Sequence, residues 1–248
     1  SRSGSAVAGQ GEPVLLVHGF GGDKDNWTLF ARALPDRYRV IAVDLPGFGE
    51  NSRDPAARYD VRTQSERLLA FVDHLGLARF HLVGNSMGGN LSARFAADHP
   101  ERVRSLALFD ASGVKSPTPS EVARAVDAGQ SPLVINTPED FERILKLNFV
   151  KPPDVPRFIT RYFAQRAFDN RAFNQKIFKD IGAWPARMEG DLPRIKAPTL
   201  IIHGAADPLV PVAAAEDLRR RIPGSVLEII TGMGHDLPPA LVPRLTGR

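Results

Sequence analysis

The residues best suited to chemistry in this chain are a serine, a histidine and an aspartate, each placed just beyond an apolar run. Gly84-Asn85-Ser86-Met87-Gly88-Gly89 follows the run Phe80–Val83 and leads into a helical pattern. Gly-x-Ser-x-Gly gains meaning from that setting, because a tight strand-to-helix turn holds the serine in a strained conformation that lifts its hydroxyl clear. Gly84 and Gly88 would leave room there for neighbouring backbone. The Ser86 oxygen would lie near a helix N-terminus, whose dipole favours developing negative charge. Neither Gly-x-x-x-x-Gly-Lys-Ser/Thr nor Gly-x-Gly-x-x-Gly fits the segment, which argues against a phosphate-cradling turn.

A serine hydroxyl attacks poorly unless a base takes its proton. The chain has six histidines. His18 falls in the loop after the first apolar run and reads as a holder of that loop. His74 and His99 end predicted helices, His81 lies inside a predicted strand, and His203 closes one. His235 differs, because it follows the last run in the flexible loop Gly232-Met233-Gly234-His235, and it is the predicted general base. Asp207, in His203-Gly204-Ala205-Ala206-Asp207-Pro208, is the predicted orienting acid. A carboxylate in that role fixes the imidazole tautomer and stabilises the imidazolium. Asp110, directly after Leu106–Phe109, is an alternative acid, and Asp44, before Pro46-Gly47-Phe48-Gly49, reads as a turn former. Acyl transfer also needs two aligned N–H donors for the oxyanion. The residue after the serine, Met87, and Phe20 in His18-Gly19-Phe20-Gly21-Gly22-Asp23 are the predicted donors.

These positions make sense only if the runs before them are strands of one sheet. The runs are Val14–Val17, Val40–Val43, Phe80–Val83, Leu106–Phe109, Thr199–Ile202 and Val226–Ile230. Each is strand-sized and apolar on consecutive positions, as expected for strands buried on both faces. Trp27–Leu34, Arg62–Leu75, Met87–Asp98 and Val212–Ile222 read as helices between them. Alternation of strand and helix predicts an α/β fold with a mostly parallel central sheet and helices on both faces. Function in such sheets gathers at the carboxyl ends of the strands.

The rhythm breaks between Ser112 and Pro185, where no convincing strand appears. Phenylalanines stand at 141, 149, 158, 163, 168, 173 and 178, among prolines and arginines. The expected organisation is a core of residues 1–111 and 186–248 with a helical cap, or lid, at 112–185. Most of the phenylalanines are expected to form the insertion's own core, with Phe141, Phe149 and Phe163 as the candidates to line a substrate pocket.

Composition narrows the partners. With 43% hydrophobic and 24% charged residues the chain is an ordinary globular protein. A net charge of +4 is too small to argue for nucleic acid, and the densest basic run, Arg219–Arg221, falls at a helix end. The absence of cysteine excludes disulfides and thiolate chemistry. There is no apolar run of the ~20 residues that a membrane-spanning helix needs. No His-Glu-x-x-His occurs, so neither metal nor cofactor is expected, and the expected partner is a small ester. The start, Ser-Arg-Ser-Gly-Ser, lacks signal-peptide regions; the expected location is cytoplasmic, with a removed leader or secretion left open. Oligomeric state is not legible.

His18-Gly-Phe-Gly-Gly-Asp-Lys-Asp-Asn-Trp27, Asp44-Leu-Pro-Gly-Phe-Gly49 and Gly84-Asn-Ser-Met-Gly-Gly89 together resemble the α/β-hydrolase superfamily, and within it bacterial lipase/esterases and monoacylglycerol-lipase-like enzymes. The resemblance spans about residues 10 to 240. It implies the chain order serine, acid, histidine, and a two-step cleavage of short to medium acyl esters through an acyl-enzyme. Relatives usually carry two more strands before the first run and a long helix after the histidine; here thirteen residues follow His235. The same nucleophile motif is frequent in hydrolases that cleave carbon–carbon bonds of ring-fission products, which are the alternative. A non-catalytic, hydrolase-fold binding protein is a more remote one. Serine at 86 counts against a haloalkane dehalogenase, which places aspartate there.

Overall fold

The computed structural model describes residues 4–137, 139–152, 154–181, 188–237 and 239–243. Seven strands form one sheet: β1 (Ser5–Ala8), β2 (Glu12–Val17), β3 (Tyr38–Val43), β4 (Phe80–Asn85), β5 (Val103–Phe109), β6 (Thr199–Gly204) and β7 (Val226–Ile230). Their spatial order is β1-β3-β2-β4-β5-β6-β7. β1 pairs antiparallel with β3, and the remaining neighbours are parallel.

The apolar runs form the sheet because each strand's side chains divide between two cores. Leu15, Val17, Ile41, Leu82, Leu106, Leu108 and Ile201 pack on one face, with α2 (Val61–His74), α3 (Met87–Asp98) and α8 (Val212–Arg221). Leu16, Val40, Ala42, Val83, Ala107, Phe109 and Ile202 pack on the other, under Trp27 and Phe30 of the segment that ends in α1 (Thr28–Ala33). Consecutive apolar positions thus serve opposite faces of the pleat.

Three expectations need correction. β7 is not buried on both faces: it has one neighbour, and Val226 and Ile229 are 55% and 43% exposed at the periphery of the sheet. The predicted helix Trp27–Leu34 divides into a 3-10 turn, Lys24–Trp27, and α1, because Asp23 and Asn26 form a reciprocal cap one residue before the turn. β1 had no predicted counterpart. It is four residues long and mostly exposed, and backbone pairing with β3 makes it a strand without apolar patterning.

Four helices lie between β5 and β6: α4 (Glu121–Asp127), α5 (Asp140–Asn148), α6 (Arg157–Asp169) and α7 (Arg171–Asp180). The expected boundary at 185/186 lies outside the described residues. α7 is fastened to the β3–α2 loop by Ile177, Asp180 and Phe173: Asp180 Oδ2 accepts from the Tyr59 N–H at 3.1 Å, and the Phe173 and Tyr59 rings meet edge to face. No helix among the described residues is long and apolar enough to cross a membrane.

Candidate active site at the strand ends

Ser86 closes β4 and caps α3 with φ 54° and ψ −118°, a backbone conformation that favours glycine. The strain is sustained by pairing on both sides. The Ser86 N–H donates to the Phe109 carbonyl at 2.9 Å, and its carbonyl accepts from Asn90 at 3.1 Å and Ser112 at 3.2 Å. Glycine is required at 84 and 88, since a Cβ at 84 would strike the Gly88 carbonyl and Ser92, and one at 88 the Val17 and His18 carbonyls. The loop after β2 is equally close, and a Cβ at Gly19 would come within 3.2 Å of the Ser86 Cβ. Phe20 and Met87 flank the serine on these two elements, and neither N–H donates to a backbone carbonyl among the described residues.

His235 lies beyond β7, 6% exposed, and its Nδ1–H donates to Asp207 Oδ2 at 2.7 Å. That bond leaves Nε2 as the free acceptor. Asp207 Oδ1 accepts from the N–H groups of Leu209 (2.8 Å) and Val210 (3.0 Å), so both carboxylate oxygens are engaged. Burial lowers the His235 pKa, but the charge and hydrogen bond of Asp207 outweigh it and hold the imidazole above its ordinary value. The helical segment touches both loops. The Asn148 carbonyl at the end of α5 accepts from the His235 N–H at 2.8 Å. Ser120, the cap of α4, donates to the Leu209 carbonyl at 2.9 Å. The hydrogen bond of His235 runs to Asp207, and none to the Ser86 hydroxyl is formed among the described residues.

Asp110 stands beside this pair. It is fully buried at φ 45°, and its Oδ1 accepts from the Gly204 N–H at 2.8 Å. Oδ2 has no partner, and burial drives the carboxyl well above the ordinary carboxylate range. Among the described residues Asp110 forms no hydrogen bond to His235, which bonds Asp207 instead. Among the described residues Asp110, Asp207 and His235 are the group whose ligand atoms converge within 4.8 Å. Asp207 Oδ2 is engaged by His235, and Asp207 Oδ1 and Asp110 Oδ1 by loop amides.

The remaining histidines have scaffold contacts. His18 donates from Nδ1 to the Gly19 carbonyl at 2.7 Å and accepts the Leu45 N–H at Nε2, 3.1 Å away. Burial lowers its pKa, consistent with a neutral imidazole. His81 bonds Ser105, and His203 donates to the Val210 carbonyl. His74 falls in the last turn of α2, and His99 caps α3. Asp44 organises its turn, accepting from the Lys24 N–H at 2.7 Å and the Glu50 N–H at 2.9 Å.

A cleft with about 160 Å³ open to water adjoins Phe20. Phe141 and Phe163 line it with Phe48, Leu133, Ile135 and Ile144. Phe149 is not part of its lining and caps α5 beside the Asn148 carbonyl. Sequence reasoning missed Arg53 and Arg166, which also line the cleft, and the Asn148 carbonyl. A lone arginine and a backbone acceptor carry no pattern that spacing could reveal.

Comparisons agree with this geometry. Residues 12–152 match the family model for the alpha/beta hydrolase fold. The chain is 34% identical over 227 residues to Lipase 3 of Moraxella sp. (strain TA144), covering 91% of this chain and 72% of that protein. Among solved structures it is similar to a membrane phospholipase A, described as a bacterial virulence factor, with TM-score 0.90 and 42% identity over 97% of this chain and 77% of the other. It is also similar to a meta-cleavage product hydrolase from Pseudomonas fluorescens IP01, with TM-score 0.80 and 26% identity over 98% and 89% of the two chains. A family match across more than half the chain, a lipase relative along nine-tenths of it and the strained serine at the carboxyl end of the central strand lead to one conclusion: this chain belongs to the α/β-hydrolase fold family.

Proposed function

We propose that the chain hydrolyses carboxylic esters of short to medium acyl length, with Ser86 as nucleophile, His235 as general base and Asp207 as its orienting acid. The observation that carries this reading is the buried His235–Asp207 hydrogen bond, 2.7 Å long, on the same rim as a serine held at positive φ. His235 Nε2 takes the Ser86 proton as the oxygen attacks the ester carbonyl. The N–H groups of Phe20 and Met87 receive the oxyanion. His235, now charged beside Asp207, returns the proton to the leaving alcohol. Water then follows the same route and releases the acid from Ser86. Losing one oxyanion donor typically costs ~3 kcal/mol of transition-state stabilisation. The likeness to a lipase supports an ester substrate. The helices between β5 and β6, with Phe141 and Phe163 on the cleft, are read as a cap that shapes the acyl site.

The test is nitrophenol release from acetate, butyrate, octanoate and palmitate esters, with Ser86→Ala in parallel. Turnover that disappears in the variant is expected, and its profile ranks acyl length. Likeness to a meta-cleavage product hydrolase favours carbon–carbon cleavage as the second reading. Turnover of ring-fission products in place of all four esters would establish that alternative.

A further inference from the structure

The cleft beside Phe20 combines an apolar wall with a cation that forms no ion pair among the described residues. Leu133, Ile135, Phe141, Ile144 and Phe163 supply the hydrocarbon side. Opposite stand Arg53, Arg166 and Asp23. Arg166 is already paired, its Nη1 3.4 Å from Asp23 Oδ2. Arg53 forms no ion pair among the described residues. Its Nη2 donates to the Gly49 carbonyl at 2.9 Å, and its Nε is buried without any hydrogen-bond partner. Burial lowers its pKa and the nearby Arg166 lowers it further, with only part returned by Asp44 and Tyr59. A guanidinium does not relieve such stress by losing its proton. The cleft therefore holds two guanidiniums and one carboxylate that is already engaged. Asn174 also lines it.

An arginine with a purely structural task has its charge matched by an acid or fully hydrated by water. Arg53 is only partly exposed and is in ion-pair contact with no acid among the described residues, and the more distant Asp44 offsets only part of its stress, so a ligand anion is what the site lacks. Building on the ester reading above, we propose that this cleft selects esters that carry an anionic group, a phosphate or a carboxylate. The anion pairs with Arg53, and the substrate's hydrocarbon lies along Phe141, Ile144 and Phe163. The planar fork of a guanidinium suits both anions.

Two matched pairs of substrates test this: a 1-monoacylglycerol against its 3-phosphate, and nitrophenyl butyrate against nitrophenyl hemiglutarate. Each is measured with wild type, Arg53→Gln and Arg53→Lys. Wild type is expected to favour the anionic member of at least one pair in kcat/KM. Arg53→Gln should lower that anionic-to-neutral ratio about ten- to hundredfold, mainly through KM. Arg53→Lys should recover part of it, since charge returns without the fork. Preference confined to the phosphate pair puts the anion on the alcohol side, and preference confined to the hemiglutarate pair puts it on the acyl side. Indifference of the wild type to both anions overturns the proposal and needs no variant to fold. So does a folded Arg53→Gln whose ratio stays within twofold of wild type. Failure to turn over any of the four esters overturns the ester reading as well, and neutral-ester turnover tells the two failures apart.

Discussion

The strand ends and the helices between β5 and β6 meet at the His235–Asn148 and Leu209–Ser120 hydrogen bonds but are held by different means. Ser86, Asp110, Asp207 and His235 follow β4, β5, β6 and β7, which are neighbours in the sheet. The last four residues of β4, β5 and β6 are all buried. Such anchoring can keep two residues at positive φ, with the Ser86 N–H on the Phe109 carbonyl and the Asp110 N–H on the Ile202 carbonyl at 3.0 Å. By contrast α5 buries no residue fully, α6 buries Ala164 and α7 buries Ile177. Proton transfer tolerates little displacement, and its groups sit on the densely packed part. The cleft wall that would meet a variable chain is built from elements of low local stability.

If that division is real, the largest effects belong to the rim. Ser86→Ala should lower kcat by about 10⁵- to 10⁶-fold with the fold intact by circular dichroism. Residual activity above one per cent would mean that another group carries the chemistry. Asp207→Asn should cost about 10⁴-fold, because the amide favours the wrong imidazole tautomer. It should also displace the acid limb of the kcat/KM profile. Catalysis needs neutral His235, so in wild type this limb falls above the ordinary imidazole value, where Asp207 holds it. Without the Asp207 charge the burial penalty remains, and the limb should move to lower pH. An unmoved limb would assign it to a group other than His235.

The two carboxylates sharpen the comparison further. Burial raises the Asp110 carboxyl well above the ordinary carboxylate range, and the carboxyl accepts one hydrogen bond, from Gly204. Asp110→Asn keeps that acceptor, so steady-state kinetics should register less than about a tenfold loss. A loss matching that of Asp207→Asn would reverse the assignment of the acid.

Much of the sheet is legible in the amino-acid sequence: Ser86, Asp110 and Asp207 follow apolar runs that form buried strands, whereas the run before His235 forms the half-exposed β7. Val226–Ile230 and Met87–Asp98 match β7 and α3 to the residue. β1 escapes because its identity lies in backbone pairing to β3, and Ser5-Ala6-Val7-Ala8 carries no apolar pattern. The choice between Asp110 and Asp207 is likewise closed to spacing, because both follow parallel strands. The 2.7 Å contact to His235 and the burial of an unpartnered oxygen distinguish them. In the helical segment, phenylalanine content alone could not separate Phe141 and Phe163, on the cleft, from Phe149, off it. Leu133 and Ile135 lie in a stretch with no period to read.

The smallest expected effect tests the weakly held half directly. Leu82 in β4 is fully buried, and Leu82→Ala should destabilise the protein by ~3 kcal/mol. Phe158, at the start of α6, is 73% exposed, so its ring has little buried area to lose. Phe158→Ala should stay within about 0.5 kcal/mol of wild type, a Tm change of no more than about 2 °C for a chain of this size. Denaturant melts of the two variants beside wild type measure both. If Phe158→Ala proved as costly as Leu82→Ala, that face of α6 would have to be covered in solution, and sedimentation at rising concentration would show whether a second copy covers it.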